Sequence, residues 1–207
     1  MRIVKEAEER KNEILDVAER LFSTKGFDQT STGDILAQVG IARGTLYYHF
    51  QSKEEILDAV IGRMIGQMLV RARELVGRRE LSVLQRLTLM IRTLQIHEGW
   101  GDALMEQIHK PQNALMHQKI QERLLAGVNP LLTELIEEGV AEGICHTDYP
   151  AEVAEMTFLY ANTVFDTLAE QSGELRQRKM EAFIYNLERL LRMEQGSMMA
   201  VVLPLFQ

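Results

Sequence analysis

One segment of 24 residues, TSTGDILAQVGIARGTLYYHFQSK from Thr30 to Lys53, constrains the fold more than any other part of this chain. Ser31 or Thr32 can cap a first short helix through its hydroxyl group, and Asp34 suits the positive end of that helix. Gly40 can end the helix, because glycine adopts the left-handed backbone most easily. A second short helix begins only a few residues later. The pattern therefore predicts a helix-turn-helix.

A helical wheel gives the second helix of this segment two different faces. The inward face is apolar and consists of Ala42, Leu46 and Phe50. The outward face and its flanks carry no acid and consist of Gly44, Tyr47 and Tyr48 with Arg43, Thr45 and His49. The alternative, that both tyrosines are ordinary core residues, would require one helix face to bury them together with Leu46 and Phe50.

The charge of the segment points to a nucleic-acid partner. No acidic residue occurs between Ile35 and Lys53, although the whole chain has a net charge of −7. A short helix with a neutral-to-basic outer face fits the DNA major groove. Gly44 would allow the backbone to approach DNA, and Tyr47 offers a ring for a thymine methyl group and a hydroxyl for a base edge or phosphate. Phosphate contacts suit the remaining polar side chains, namely Thr45, Tyr48, His49 and Lys53.

The stretch IARGTLYYHFQSKEEIL resembles the recognition helix of the tetracycline-repressor (TetR) family of bacterial transcription regulators. The longer run ILDVAERLFSTKGFDQTSTGDILAQVGIARGTLYYHF is similar to that family's three-helix DNA-binding domain throughout. The resemblance implies DNA contacts at Thr32, Arg43, Thr45, Tyr47, Tyr48, His49 and Lys53. The family often has serine or lysine where Arg43 stands. For Arg43, a bidentate guanine contact and a phosphate contact both remain open.

Composition divides the chain into two parts of different charge. Residues 1–53 hold eight basic and eight acidic residues, whereas residues 54–207 hold 15 basic and 22 acidic residues. We expect an all-α protein with a three-helix DNA-binding domain at 1–53 and a helical ligand-binding and dimerisation domain at 54–207. The acidic domain should face away from DNA. A long helix from about Lys53 to Val76, capped by Ser52, is expected to join them.

Other classes of function find little support in the sequence. Cys145 is the only cysteine, which excludes an intrachain disulfide and favours a reducing cytoplasm. No apolar signal sequence or membrane-spanning run is present. No nucleophile–base pair, phosphate loop or dinucleotide motif indicates an enzyme, and no cofactor is expected. Cys145, His146 and Asp148 lack a strong zinc spacing, so we expect a solvated loop there rather than a metal site.

The resemblance implies a small ligand enclosed by the fourth to eighth helices. Methionine fills irregular apolar space, and a few polar or aromatic groups could orient a ligand. The candidate ligand-binding residues are Met64, Met68, Met90, His97, Trp100, Met105, His109, Met116, Phe158 and Asn162. A methionine stripe at helical spacing is also typical of an ordinary core. If these residues line a pocket, they favour an apolar or amphipathic effector.

Two apolar stripes near the end of the chain have alternative interpretations. Helices are expected from Ala151 to Gln171 and from Leu175 to Met193, and their periodicity is compatible with plain core packing. The resemblance implies instead a four-helix bundle across a homodimer, with an interface formed by Tyr160, Val164, Phe183, Ile184, Leu187 and Leu191. The apolar tail SMMAVVLPLFQ should pack into a groove of its own or the partner subunit, unless it is disordered.

These features together favour a homodimeric, ligand-responsive transcriptional repressor. Its two recognition helices would enter successive major grooves about 34–36 Å apart, and the operator would be a near-palindrome. A second hypothesis keeps DNA binding but makes the C-terminal domain a platform for a protein partner. An enzyme is the third.

Overall fold

The structure is a computed structural model that describes residues 7–94, 110–167 and 173–206. These residues form helices and no strands, which confirms the all-α prediction for this part of the chain. The α-helices are α1 (Ala7–Lys25), α2 (Thr32–Val39), α3 (Arg43–His49), α4 (Lys53–Val76), α5 (Val83–Leu94), α6 (Ala114–Ala141), α7 (Pro150–Thr167), α8 (Gly173–Leu190) and α9 (Met199–Val202). Short 3₁₀ helices occur at Pro111–Asn113 and Leu203–Phe206.

The chain divides into two compact units. Among the described residues, the first unit contains 7–66 and 110–122, and the second contains 67–94, 123–167 and 173–206. Helices α4 and α6 each contribute residues to both units. The expected functional boundary after Lys53 falls inside the first unit, and it stays a prediction.

The first unit has a core built on one side of α1. Ile14, Ala18 and Phe22 of α1 are completely buried, as is Leu57 of α4. Arg63 of α4 donates to Asp16 at 2.7 Å and also pairs with Glu19, so two carboxylates of α1 hold α4 beside it. The core and this ion pair fix the two helices that support the helix-turn-helix.

A segment distant in sequence completes the first unit. The backbone N–H of Phe27, in the turn between α1 and α2, donates to the side-chain oxygen of Asn113 at 2.9 Å. Asn113 is fully buried and lies 86 residues further along the chain. Lys119 of α6 pairs with Asp58 of α4 at 2.9 Å. The 3₁₀ helix at Pro111–Asn113 and the beginning of α6 are therefore held within the first unit by a hydrogen bond and an ion pair.

Helices α4 and α6 meet closely within the second unit. A Cβ atom added to Gly127 of α6 would lie 2.1 Å from a methyl carbon of Leu69 in α4. Such a separation is far below van der Waals contact, so glycine at 127 is what allows Leu69 to occupy its position. The two helices pack here over the backbone of α6 rather than over a side chain.

A buried arginine lies in the second unit. Arg86 of α5 is 1% exposed, donates to the carbonyl oxygen of Val76 at 2.7 Å and pairs with the carboxylate of Glu138. Arg79 pairs with the same carboxylate. Desolvation of such a charge is tolerated because it is both paired and hydrogen-bonded. The arrangement joins α5, α6 and the end of α4.

The C-terminal tail packs on its own subunit, which decides between the interpretations of SMMAVVLPLFQ. Met198 and Val202 are 4% and 6% exposed and belong to a core cluster with Met180 and Ile184 of α8. Glu188, itself 1% exposed, accepts backbone N–H groups of the tail: Gly196 at 2.8 Å, Met198 at 2.8 Å and Met199 at 2.9 Å. The tail is therefore attached by apolar burial and by one buried carboxylate.

Replacement of Asn113 should test how much its distant hydrogen bond stabilises the fold. In Asn113→Ala the buried N–H of Phe27 loses its acceptor, so we expect the free energy of unfolding to fall by ~1–3 kcal/mol. Urea denaturation followed by circular dichroism measures the change. Asn186→Ala is the control, because Asn186 is exposed on α8 and only donates to a carbonyl of its own helix. Equal stability of the two variants would contradict the assignment.

Candidate nucleic-acid interface

Helix α3 has one buried and one free face, as the wheel predicts. Leu46 and Phe50 are 1% and 2% exposed, whereas Tyr48 is 76% exposed. Tyr48 is therefore not a core aromatic. The inward position predicted for Ala42 is wrong: this residue is the extended N-cap of α3 and is exposed, because the helix begins one residue later.

The beginning of α2 is fixed by a capping box, with Ser31 as its N-cap. The N–H of Asp34 donates to the Ser31 hydroxyl at 3.1 Å, and the N–H of Ser31 donates to the Asp34 carboxylate at 2.8 Å. Hydrogen bonds from the backbone and hydroxyl of Ser31, followed by the one from Lys25, lower the pKa of Asp34 to about 2. Thr32 is thereby held as the first residue of α2.

A tight turn connects α2 to α3. Gly40 has a φ of +73°, and its N–H donates to the carbonyl of Leu36 at 2.9 Å. The left-handed backbone at this position is strained for residues with a side chain, so the prediction for Gly40 is confirmed. The turn places the first residue of α3 only four positions after the end of α2.

Three candidate DNA-contacting residues from two helices come together at this corner. The Tyr47 hydroxyl interacts with Arg43, one turn earlier in α3, and with Thr32 of α2. Hydrogen bonding to Arg43, then to Thr32, lowers the pKa of Tyr47. The Arg43 guanidinium carbon lies 5.5 Å from the centre of the Tyr47 ring. Arg43 and Tyr47 are therefore mutually oriented before any partner binds.

Of the remaining outer positions of α3, Gly44 and Tyr48 are exposed and His49 is half-buried. The rings of Tyr48 and His49 meet edge to face at 5.0 Å, and Thr45 is half-buried. A Cβ atom added to Gly44 would have no heavy atom within 4 Å. The fold itself therefore does not require glycine there, although glycine within a helix costs about 1 kcal/mol relative to alanine. The absent side chain leaves space on the outer surface.

Lys53 has a role that the sequence pattern did not indicate. Its ammonium group donates to the carbonyl of Phe27 at 2.9 Å and lies 4.1 Å from the centre of the Phe27 ring. The side chain is half-buried. Lys53 therefore stabilises the turn between α1 and α2, and only its remaining N–H groups are left for a phosphate. No periodicity connects residues 26 positions apart, so sequence reasoning missed this contact and that of Asn113.

The second unit contains an apolar cavity of about 260 Å³. Helices α5 to α8 and the tail line it, and Thr157 and Asn162 are its polar lining residues among those described. Three of the candidate ligand-binding residues, Met90, Phe158 and Asn162, contribute to its wall.

The other ligand-binding candidates either do not line this cavity or lie outside the described residues. Met64 and Met68 do not line this cavity, and Met68 is largely buried core. Met116 is 1% exposed, belongs to the first unit and does not line this cavity, so its role in ligand binding stays a prediction. His97, Trp100, Met105 and His109 lie outside the described residues.

The residues predicted for the dimer interface require a partial correction. Ile184 and Leu191 are 1% and 3% exposed and pack in the core of their own subunit, because the subunit itself covers the centre of the stripe. Phe183, Ile184 and Leu187 line the cavity. Tyr160 is 44% exposed and stacks on the Phe183 ring at 5.1 Å, and Val164 is half-buried.

Cys145 also differs from expectation. It is buried beside Gly139 rather than in a solvated loop, and burial raises the pKa of its thiol. His146 is exposed. Within the described ranges, no three His, Cys, Asp or Glu side chains form a group that could hold a metal ion. No helix in those ranges is sufficiently long and apolar to cross a membrane.

Two family models match the chain. Residues 14–60 match "Bacterial regulatory proteins, tetR family", and residues 101–183 match "Tetracyclin repressor-like, C-terminal domain". The first range includes the whole helix-turn-helix and the beginning of α4. The second includes α6, α7 and part of α8.

Individual relatives and solved structures agree with the two family models. The HTH-type transcriptional repressor KstR2 of Rhodococcus jostii is 30% identical over 151 residues, which cover 70% of this chain and 72% of the relative. A TetR-family regulator from Mesorhizobium loti has a similar fold, with a TM-score of 0.63 at 20% identity over 90% of this chain and 98% of that one. The regulator FadR of Bacillus subtilis, solved with stearoyl-CoA, gives a TM-score of 0.56 at 22% identity over 87% and 97%.

The relatives are regulators of transcription and not enzymes. Their similarity extends over both units of the chain, and the helix-turn-helix described above is the part that the N-terminal model recognises. The chain belongs to the TetR family of helix-turn-helix transcriptional regulators.

Proposed function

We propose that this regulator is a homodimeric, ligand-responsive repressor that binds a near-palindromic operator through α3. One observation carries the proposal: α3 buries Leu46 and Phe50 and leaves an acid-free face of Arg43, Tyr47 and Tyr48. Such a face can enter a major groove without repulsion from DNA. The relative KstR2 is named a repressor, which favours repression as the direction of control. Binding to chromosomal DNA would place the protein in the cytoplasm.

The proposed DNA contacts follow from the geometry of the corner between α2 and α3. Arg43 and Tyr47 would reach base edges, with Gly44 allowing close approach of the backbone. The residues around Arg43 and Tyr47 would contact phosphates. They are Thr32, Thr45, Tyr48, His49 and, through its remaining N–H groups, Lys53.

Exposed apolar side chains support the proposed dimer. Of ten large hydrophobic side chains that are exposed among the described residues, six lie on α7 and α8. They are Met156, Leu159, Tyr160, Leu175, Tyr185 and Leu190. Apolar side chains concentrated on two helices are typical of an interaction surface. A twofold dimer through α7 and α8 would present two copies of α3 to half-sites about 34–36 Å apart.

The cavity supports a small-molecule effector over a protein partner. Its volume of about 260 Å³ is slightly below the ~300–1,000 Å³ of ordinary ligand pockets. The Thr157 hydroxyl is buried without a hydrogen-bond partner among the described residues, so a ligand group could satisfy it. We infer a compact apolar or amphipathic effector. Stearoyl-CoA, which the Bacillus subtilis FadR structure contains, is much larger than this cavity.

Coupling between effector and DNA would use the helices that belong to both units. An effector need only favour one arrangement of α4 and α6 by ~1–3 kcal/mol to change operator affinity 5- to 150-fold. Asn113, which directly precedes α6, is bonded to Phe27, and Lys119 of α6 is paired with Asp58. Helix α6 is therefore a second candidate route beside α4.

Selection of bound fragments from a random DNA library tests the function directly. We expect enrichment of one near-palindromic site that binds two chains, as measured by footprinting and by sedimentation of the complex. The double variant Arg43→Ala/Tyr47→Ala is the control and should enrich no site while remaining dimeric. Enrichment of a single half-site bound by one chain would contradict the dimeric arrangement, and no enrichment at all would contradict the DNA-binding role.

Gly44→Ala should change stability and DNA binding in opposite directions. Alanine stabilises a helix by ~0.5–1 kcal/mol relative to glycine, and no neighbouring atom opposes its Cβ. On the DNA side, the added methyl group should raise the operator Kd about tenfold or more.

Gly66→Ala is the matched control for that variant, since a Cβ at Gly66 also meets nothing within 4 Å. It should give a similar gain in melting temperature with unchanged operator affinity. Normal operator binding by Gly44→Ala would show that DNA does not approach this position.

Tyr47→Phe removes only the hydroxyl group, which lies beside Arg43 and Thr32. We expect specific operator affinity to fall about tenfold, as for the loss of one hydrogen bond worth ~1–1.5 kcal/mol, with little change in non-specific binding. Fluorescence anisotropy with operator and scrambled DNA measures both affinities. The control is Tyr149→Phe, because Tyr149 is 66% exposed and precedes α7, outside the proposed dimer surface. Equal operator affinity of the two variants would refute the role of Tyr47.

A further inference from the structure

We propose that the C-terminal segment, residues 196–205, is a wall of the effector cavity, and that Met198 and Val202 determine the size of the molecule admitted. The inference rests on the proposed function, because it assigns a specificity role within the same cavity. The proposed DNA contacts of the helix-turn-helix do not depend on this role of the tail. Residues 196–205 would then contact the effector directly, in addition to packing against the rest of the second unit.

The lining of the cavity is the first observation. Met198 and Val202 both face the cavity, together with Met90 of α5 and Ile184 of α8. Both tail residues are more than 90% buried, so solvent does not separate them from the other walls. Each side chain that they contribute occupies volume that an effector would otherwise fill.

A second cavity, of about 60 Å³, adjoins the first. Five residues line both cavities and therefore form the partition between them: Leu87, Leu132, Thr157, Leu187 and Met198. Met198 is the only one of the five that belongs to the tail. Shortening this side chain should join the two spaces into one longer site. The unpartnered hydroxyl of Thr157 lies at the same partition.

The attachment of the tail is the third observation. Glu188 is almost completely buried and accepts three backbone N–H groups, those of Gly196, Met198 and Met199. Between Glu188 and the tail the chain turns through two residues with positive φ, Arg192 at +50° and Gly196 at +88°. The carboxylate thereby fixes where Met198 begins to enter the cavity. Glu188 is a positioning residue, since it acts through Met198 and does not line the cavity itself.

The volume defines the class of ligand. An apolar cavity of ~150 Å³ lined by Leu, Ile and Phe stays dry and binds benzene, so about 260 Å³ suits a somewhat larger molecule. A medium-length aliphatic chain with one hydroxyl group would match the apolar walls and the Thr157 hydroxyl, which is buried without a partner among the described residues. Straight 1-alkanols from butanol to dodecanol are therefore suitable probes of length.

Calorimetric titration of the full-length protein with this alkanol series tests the proposal. For the unmodified chain, Kd should fall about fourfold for each added methylene until the cavity is full, and then rise. Met198→Ala and Val202→Ala should move the tightest-binding alkanol to a chain longer by about one or two carbons, because each substitution enlarges the site.

Matched controls exist on the same segment. Met199→Ala and Val201→Ala make the same two substitutions at tail positions that do not line the cavity, so the preferred length should stay unchanged. Glu188→Gln places an amide N–H group against backbone donors. It should accelerate hydrogen exchange at the Gly196, Met198 and Met199 amides and broaden the length preference beyond that of the unmodified chain.

The outcomes separate this inference from the proposed function. Absence of alkanol binding by the unmodified chain would overturn the cavity as an effector site, and this inference with it. Binding with a defined length optimum that Met198→Ala and Val202→Ala both leave unchanged would overturn only the role of the tail. Faster amide exchange in Glu188→Gln with an unchanged optimum would overturn the positioning role of Glu188. A longer optimum in the lining variants alone would support the proposal.

Discussion

The structure depends on how a helix of seven residues, α3, is held in place. Isolated helices of this length are not stable in water, so tertiary packing must supply what local hydrogen bonds cannot. Leu46 and Phe50 provide that packing by burial in the first unit. Because these two buried side chains hold α3 in place, the residues on its opposite side are not needed for packing and can be ones that contact DNA. The same constraint explains why the capping box at Ser31 and the turn at Gly40 are needed.

The second unit differs from the first because its interior contains an apolar cavity. Its interior is apolar but incompletely filled. Some of the polar groups it buries are paired, as Arg86 is with Glu138, whereas the Thr157 hydroxyl has no partner among the described residues. Glu188 is another buried charged group with hydrogen-bond partners. A buried carboxylate would be costly alone, but three backbone N–H groups satisfy it and bring the tail into the core.

The local features of the fold could be predicted from the sequence. The cap at Ser31, the turn at Gly40 and the span of α4 from Lys53 to Val76 each depend on neighbouring residues, and all three are confirmed. The exposed position of Tyr48 likewise follows from a helical wheel. These features need no knowledge of which distant segments meet.

The remaining features depend on contacts between distant residues, and the sequence reasoning missed them or assigned them differently. Lys53 has the right charge for a phosphate, yet its ammonium group is bonded to Phe27. Ile184 and Leu191 lie on an apolar stripe, but periodicity cannot tell whether a stripe faces its own subunit or a partner. Of the ligand candidates that the structure describes, Met90, Phe158 and Asn162 line the cavity and the others do not, because residue type alone does not locate a void.

The close approach at Gly127 has a consequence for how this sequence can change over evolution. Leu69 occupies the volume that a side chain at 127 would need, so a substitution at 127 requires the Leu69 side chain to move or to become smaller. A related chain with alanine at 127 must carry a smaller or rotated side chain at 69, whereas one that keeps this leucine conformation must keep glycine. The pair should therefore appear in an alignment as covarying positions. That covariation would link the two helices that cross from one unit to the other, without involving any residue of the DNA face or of the cavity wall.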